Sequence, residues 1–141
     1  MNILLIAPSG SVASALEQLS LDSAEHEVTV LSREDTDSDI RTIRVTPGAR
    51  GVSVRADRML GGSAAGRNLF RLSPLDHGRR FAAAARRDRD WQEAASTAQL
   101  IVVLERDGLL TGWQTMRRLA PASVRAVNGI APARAVLDGV G

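Results

Sequence analysis

Three consecutive charges, Glu105-Arg106-Asp107, follow the most apolar stretch of the chain, Leu100-Ile101-Val102-Val103-Leu104, and stand just before Gly108. A carboxylate there, Glu105 or Asp107, is a candidate catalytic base, and Arg106 is a candidate clamp for an anion. A plainer alternative has Asp107 capping the following helix while Glu105 and Arg106 face water. The second candidate is Ala7-Pro8-Ser9-Gly10-Ser11-Val12-Ala13 near the start. Backbone amides and two hydroxyls of Ser9, Gly10 and Ser11, placed at a helix N-terminus, could hold a phosphate, a carboxylate or a sugar hydroxyl. In the alternative, Ser9 or Ser11 only caps that helix.

Two further stretches carry polar groups of the right kind. In Ser32-Arg33-Glu34-Asp35, Arg33 could meet a ribose phosphate and an acid could meet ribose hydroxyls, since both lie roughly 20 residues past the first loop. The acidic run that follows repels phosphate, so a solvated loop is the competing reading. Asn128-Gly129 supplies a side-chain amide and a close backbone approach, or an ordinary turn. His26 and His77 each lack a second histidine at ligand spacing, so no metal site is expected. Trp91 and Trp113 fit apolar stripes and are expected in the core, with Trp113 near enough to Glu105-Arg106-Asp107 to flank a pocket.

Composition closes several routes. The 141 residues contain no cysteine and no tyrosine. Thiolate nucleophiles, disulfides and cysteine zinc sites are therefore excluded. All of the basic side chains are arginine, so the chain offers no Schiff-base lysine, no Gly-Lys-Ser/Thr phosphate loop and no Tyr-Lys proton relay. The formal net charge is only +2, and Arg79-Arg80, Arg86-Arg87 and Arg117-Arg118 fall in helical stretches with few aromatic residues between them. Such pairs read as solvated helix faces, and nucleic-acid binding is not expected. No apolar run approaches the ~20 residues of a membrane helix, and the N-terminus lacks a secretory pattern. The expectation is a cytoplasmic protein whose single domain spans residues 1–141.

The elements that must position these groups follow from periodicity. Residues 2–7 form an apolar strand, and Val12, Ala15, Leu16 and Leu19 then recur at helical spacing. Val28 to Leu31 is a β-branched second strand, which completes a right-handed βαβ unit. Ile40 to Val45 alternates as an edge strand, Gly51 to Ala56 reads as a short extra strand, and residues 61–68, GGSAAGRN, as a loop. From Pro74 to about Ala98 the spacing predicts a long helix capped by Ser73, with Phe81 and Trp91 on its apolar stripe. Leu100 to Leu104 is a buried strand. Leu109, Leu110, Trp113, Met116 and Leu119 mark a helix stopped by Pro121; Val124 to Val127 is the last strand and Ile130 to Leu137 the last helix. Strands alternating with helices indicate an α/β fold, a Rossmann-like three-layer α/β/α sandwich with a parallel sheet of about five strands in the order 3-2-1-4-5. In such sheets ligands lie at the carboxyl ends of the strands, where the order reverses. Ser9, Gly10, Ser11, Arg33, Glu105, Arg106, Asp107 and Asn128 all stand at those exits.

The layout of Met1-Asn2-Ile3-Leu4-Leu5-Ile6-Ala7-Pro8, then HEVTVLSR (26–33), then AQLIVVLERDG (98–108), resembles the N-terminal Rossmann-like half of GT-B glycosyltransferases. The resemblance implies an acceptor-side or accessory domain with a sugar or nucleotide ligand. It also implies a further, nucleotide-sugar-binding domain, C-terminal or separate, because in that family a second half holds most of the donor. No tightly held cofactor is implied. Residues 1–33 are also similar to the NAD(P)-binding short-chain reductases, although Ala7 and Ala13 replace two of the three fingerprint glycines and the Tyr-Lys pair is impossible. A non-catalytic module that forms a homodimer is the third expectation.

Overall fold

Successive side chains of a strand point to opposite faces, yet Ile3, Leu4, Leu5 and Ile6 are all buried. A strand apolar on both faces has to be covered on both, and the architecture does so. The computed structural model describes residues 1–21, 25–47 and 76–139. In chain order these form β1 (Asn2–Ile6), α1 (Ala13–Leu19), β2 (Glu27–Ser32), β3 (Thr42–Arg44), α2 (His77–Ala85), α3 (Arg89–Ser96), β4 (Leu100–Val103), α4 (Leu109–Arg118), β5 (Arg125–Asn128) and α5 (Ile130–Leu137). The five strands make one sheet in the order β3-β2-β1-β4-β5, and each neighbouring pair is parallel. The α/β Rossmann-like architecture expected from the alternation is therefore the one observed. The extra strand at Gly51 to Ala56 and the loop at 61–68 lie outside the described residues.

Even and odd positions of β1 serve different layers. Leu4 and Ile6 join Leu31, Ile43, Ile101 and Val103 against Phe81, Trp91 and Ala95 of α2 and α3. Ile3 and Leu5 join Val28, Val30, Leu100 and Val102 against Val12 and Leu19 of the α1 segment and Ala133 of α5. β5, at one edge of the sheet, is the exception among the strands. Arg125, Ala126 and Asn128 are exposed, as befits an edge.

The long helix expected from Pro74 to Ala98 is two helices. A straight 25-residue helix would run ~37 Å, about twice the ~17 Å of a five-residue strand. The chain breaks at Arg86-Arg87-Asp88, where the Asp88 carboxylate accepts from the Trp91 amide and starts α3 afresh. The first helix starts at His77, with Asp76 rather than Ser73 as its cap: the Asp76 side chain accepts from the Arg79 amide at 3.0 Å. Ser73 and Pro74 lie outside the described residues. The bend lets Phe81 and Trp91 both reach full burial on the same face.

Trp113 does not join the core. It is 52% exposed, and the Arg117 guanidinium lies 5.9 Å from its ring centre. The buried face of α4 is made by Thr111, Gly112 and Thr115 instead. A Cβ at Gly112 would fall on Val103 Cγ2, and one at Gly108 would lie 2.7 Å from Ile6 Cγ2. Small residues thus set how closely this helix meets the sheet, which turns Leu109 and Trp113 outward. No described helix is long and apolar enough to cross a membrane.

Candidate functional site

The exits of β1, β2 and β4 converge at the carboxyl edge, and backbone hydrogen bonds lace the first two together. The Ala7 amide donates to the Leu31 carbonyl, Arg33 to Pro8 and Asp37 to Gly10. Gly10 adopts φ +83°, and a Cβ there would lie 3.0 Å from the Asp35 carbonyl carbon and closer still to its oxygen. This is the one glycine of the β1 loop, and the crossing of residues 33–37 over it requires it.

Glu105 is half-buried and held by the β1 loop. The Ser9 amide donates to both carboxylate oxygens at 3.1 Å, and the Ser9 hydroxyl donates to Oε1 at 2.6 Å. The Ser11 amide in turn donates to Ser9 Oγ at 3.3 Å, and the Gly10 amide donates to the Ala7 carbonyl at 2.9 Å. All three amides considered as an anion cradle therefore have internal acceptors. The N-terminus of α1 is likewise filled from within. Neither Ser9 nor Ser11 caps it: Asp37 Oδ1 accepts from the Val12 and Ala13 amides at 2.8 and 2.9 Å, and Oδ2 accepts from the Ser11 hydroxyl at 3.4 Å. These amide donors hold the Asp37 carboxyl below its ordinary value of 3.8, because they favour the charged form.

Arg33 and Asp107, from different exits, meet across the crevice at 3.8 Å. Arg33 Nε is buried without a hydrogen-bond partner. Asp107 caps nothing: it lies within a 3₁₀ turn, Arg106–Gly108, that has no side-chain cap, and α4 begins after Gly108 likewise without one. Asp35, two residues beyond Arg33, pairs with Arg44 at 2.7 Å on the surface. Arg106 is exposed beside this group, and Asn128, opposite Val103 in the β4–β5 register, is exposed farther along the edge.

The fold thus brings Ser9, Gly10, Ser11 and Glu105 into one hydrogen-bonded unit and Arg33 and Asp107 into a second, while Arg106 and Asn128 stand at the margin. Asp37 is the participant that sequence reasoning missed. It is one of several acids in a polar run, and only the crossing of that run over Gly10 singles it out. Chemically, the crevice presents the carboxylates of Glu105, Asp37 and Asp107 with Arg33 and Arg106. Ionised carboxylates accept hydrogen bonds from hydroxyls and repel phosphates.

Further hollows flank the sheet. A cleft of about 420 Å³ between the β3 exit and α2 is lined by Arg44, Arg80 and Arg87. Arg44 is already paired with Asp35, and Arg80 donates to the Pro47 carbonyl. A smaller cavity of about 190 Å³ lies among α2, α3 and α4. Among the described residues, no group of three or more His, Asp or Glu side chains is arranged to hold a metal ion. Comparison of the chain with protein-family models, with curated proteins and with solved structures finds no match in any of the three.

Proposed function

We propose that the carboxyl-edge crevice binds a polyhydroxyl compound, a saccharide acceptor, and that the chain serves as the acceptor-side or accessory half of a glycosyltransferase-like system. One observation carries this reading: Glu105 is fixed at the switch point by the Ser9 amide and hydroxyl. A carboxylate has about four lone-pair sites, so a Glu105 oriented by Ser9 can still accept from a ligand hydroxyl, and it is placed as a general base would be. Arg106 is the exposed cation beside it, suited to an anionic substituent of the acceptor. Transfer itself needs a donor-binding domain, on this chain's continuation or on a separate one. The nicotinamide-dinucleotide alternative is disfavoured, because a pyrophosphate would have to displace Glu105 and Asp37 from the amides it needs.

A thermal-shift panel tests the reading, since a ligand that binds only the folded state raises its melting temperature. Glucose, mannose, UDP-glucose, GDP-mannose, NAD and NADP are the probes. A rise with a neutral sugar, lost in Glu105→Gln, supports it. No rise with any sugar refutes it, and a rise with NAD or NADP instead hands the site to the reductase-like reading. Unchanged binding in Arg106→Ala removes the clamp role. A second reading, a homodimerising module, is favoured by the exposure of Leu109 and Trp113 on one face of α4. Sedimentation of the wild type against Trp113→Ser decides it: a dimer lost on substitution supports the module, and a monomeric wild type excludes it.

A further inference from the structure

The outer edge of β5 and one flank of α4 meet in a single surface. The Arg125 and Gly129 amides donate to the Gln99 and Val103 carbonyls on the β4 side. The alternate residues, Ala126 and Asn128, therefore direct their N–H and C=O groups outward. Both are exposed, and β5 has a strand on one side only. Such a row of alternating donors and acceptors is matched in spacing by another extended backbone. Above it lies an apolar shelf. α4 rests on β4 and β5 with α2 along one flank, the flank that carries Thr111 and Thr115. Leu109, Trp113 and Arg117, spaced four apart, share the opposite flank, which overhangs the β5 edge. Leu109 is 41% exposed and Trp113 more so, and the Arg117 guanidinium lies over the Trp113 ring. Val124 packs in the α2–α3 layer and Val127 in the α1–α5 layer, so strand alternation puts Ala126 and Asn128 under the shelf and Arg125 on the other face.

The charge of this end is one-sided. Residues 108–137, which include all of α4, β5 and α5, contain four arginines and no aspartate or glutamate, in a chain with 16 acids. A second copy docked here would bring its own arginines against these, whereas an acidic segment is attracted. We propose that the β5 edge takes up an extended, acidic segment of a partner protein, added to the sheet as a further strand. Its backbone pairs with Ala126 and Asn128. Apolar side chains on one of its faces lie against Leu109 and Trp113, and carboxylates on the other meet Arg125. The docking edge is separate from the carboxyl-edge crevice and does not depend on the saccharide reading; it also gives the exposed pair of α4 an occupant other than a second copy.

The probe is the fluorescein-labelled peptide Glu-Leu-Glu-Val-Glu-Leu-Glu, followed by anisotropy and, on the isotope-labelled chain, by amide hydrogen exchange. The expected result is a saturable rise in anisotropy, with exchange slowed at Ala126 and Asn128 and unchanged at Arg125 and Gly129, whose amides are already bonded. Binding falls about tenfold in Trp113→Ser, as for an aromatic anchor, and about tenfold in Arg117→Glu/Arg125→Glu, with a weaker salt dependence. Ala126→Pro removes an outward N–H but no bond to β4, so it keeps the fold and loses the peptide. A peptide with proline in place of the central valine also fails to bind. No saturable rise overturns the proposal, and so does equal binding of the proline peptide, which would mean attraction by charge without strand pairing. A wild-type dimer that Ala126→Pro converts to monomer gives the edge to a second copy and likewise overturns the acidic partner.

Discussion

Replacing Gly10 by alanine should be among the most damaging single-methyl additions this domain can receive. Two costs combine. An L-residue in the left-handed region loses roughly 1–2 kcal/mol, and Gly10 sits at φ +83°. The added Cβ would also lie 3.0 Å from the Asp35 carbonyl carbon and closer to its oxygen. That carbonyl cannot swing aside freely, because the amides of Arg33 and Asp37 on either side are bonded to Pro8 and Gly10. Overpacking of this kind costs roughly 1–3 kcal/mol, so the sum is about 2–5 kcal/mol, a large part of the roughly 5–15 kcal/mol that holds a domain folded. Gly139 provides the control: it has φ +72° with no heavy atom within 4 Å of an added Cβ, so its alanine variant bears at most the first cost. Urea unfolding followed by circular dichroism measures both, with an unchanged m-value confirming that stability alone has moved. If Gly10→Ala loses no more than Gly139→Ala, residues 33–37 do not rest on the β1 loop, and the assembly of the candidate site is wrong.

Other outcomes follow from the same geometry. Because amide donors lower the Asp37 pKa below 3.8 in the folded chain, its charge stabilises the fold above that value and ceases to do so as pH falls through the lower folded value. The melting-temperature gap between wild type and Asp37→Ala should therefore be constant above about pH 5 and narrow below 3.8; a gap independent of pH contradicts the capping role. Trp91, fully buried, and Trp113, half exposed, should separate sharply. Trp91→Ala should cost about 3–5 kcal/mol, and Trp113→Ala no more than the ~0.5–1 kcal/mol of an exposed cation–π pair, both read by urea unfolding. Gly112→Ala places a Cβ on Val103 Cγ2. It should destabilise by about 1–3 kcal/mol despite alanine's better helix propensity, and a stabilised variant would refute the close approach of α4 to the sheet.

Much of the scaffold was determined by the sequence alone. Ile3 to Ile6 and Leu100 to Val103 are apolar at every position, and Val28 to Leu31 at every position but Thr29, which forces burial on both faces and hence a parallel sheet between two helical layers. The right-handed crossover rule then leaves few strand orders, and the one observed was the simplest. That polar groups gather at the strand exits follows from the same topology.

The pairings at those exits were decided by tertiary structure. Asp35, Asp37 and Asp39 are alike as sequence, yet only Asp37 reaches the start of α1, because the loop crosses Gly10 and nothing local encodes that crossing. Arg33 and Asp107 are 74 positions apart in the numbering and meet only because β2 and β4 flank β1. The buried face of α4 departs from the hydrophobic periodicity for a related reason. Hydrophobic periodicity ranks Leu109 and Trp113 as core, but the sheet beneath is already filled by Ile6 and Val103, so at its closest approach the helix presents glycine and threonine, with Met116 and Leu119 packing beside them. Periodicity records which residues prefer to be buried; how much room the neighbouring layer leaves is set by side chains far away in the chain, and that room decides which of them are.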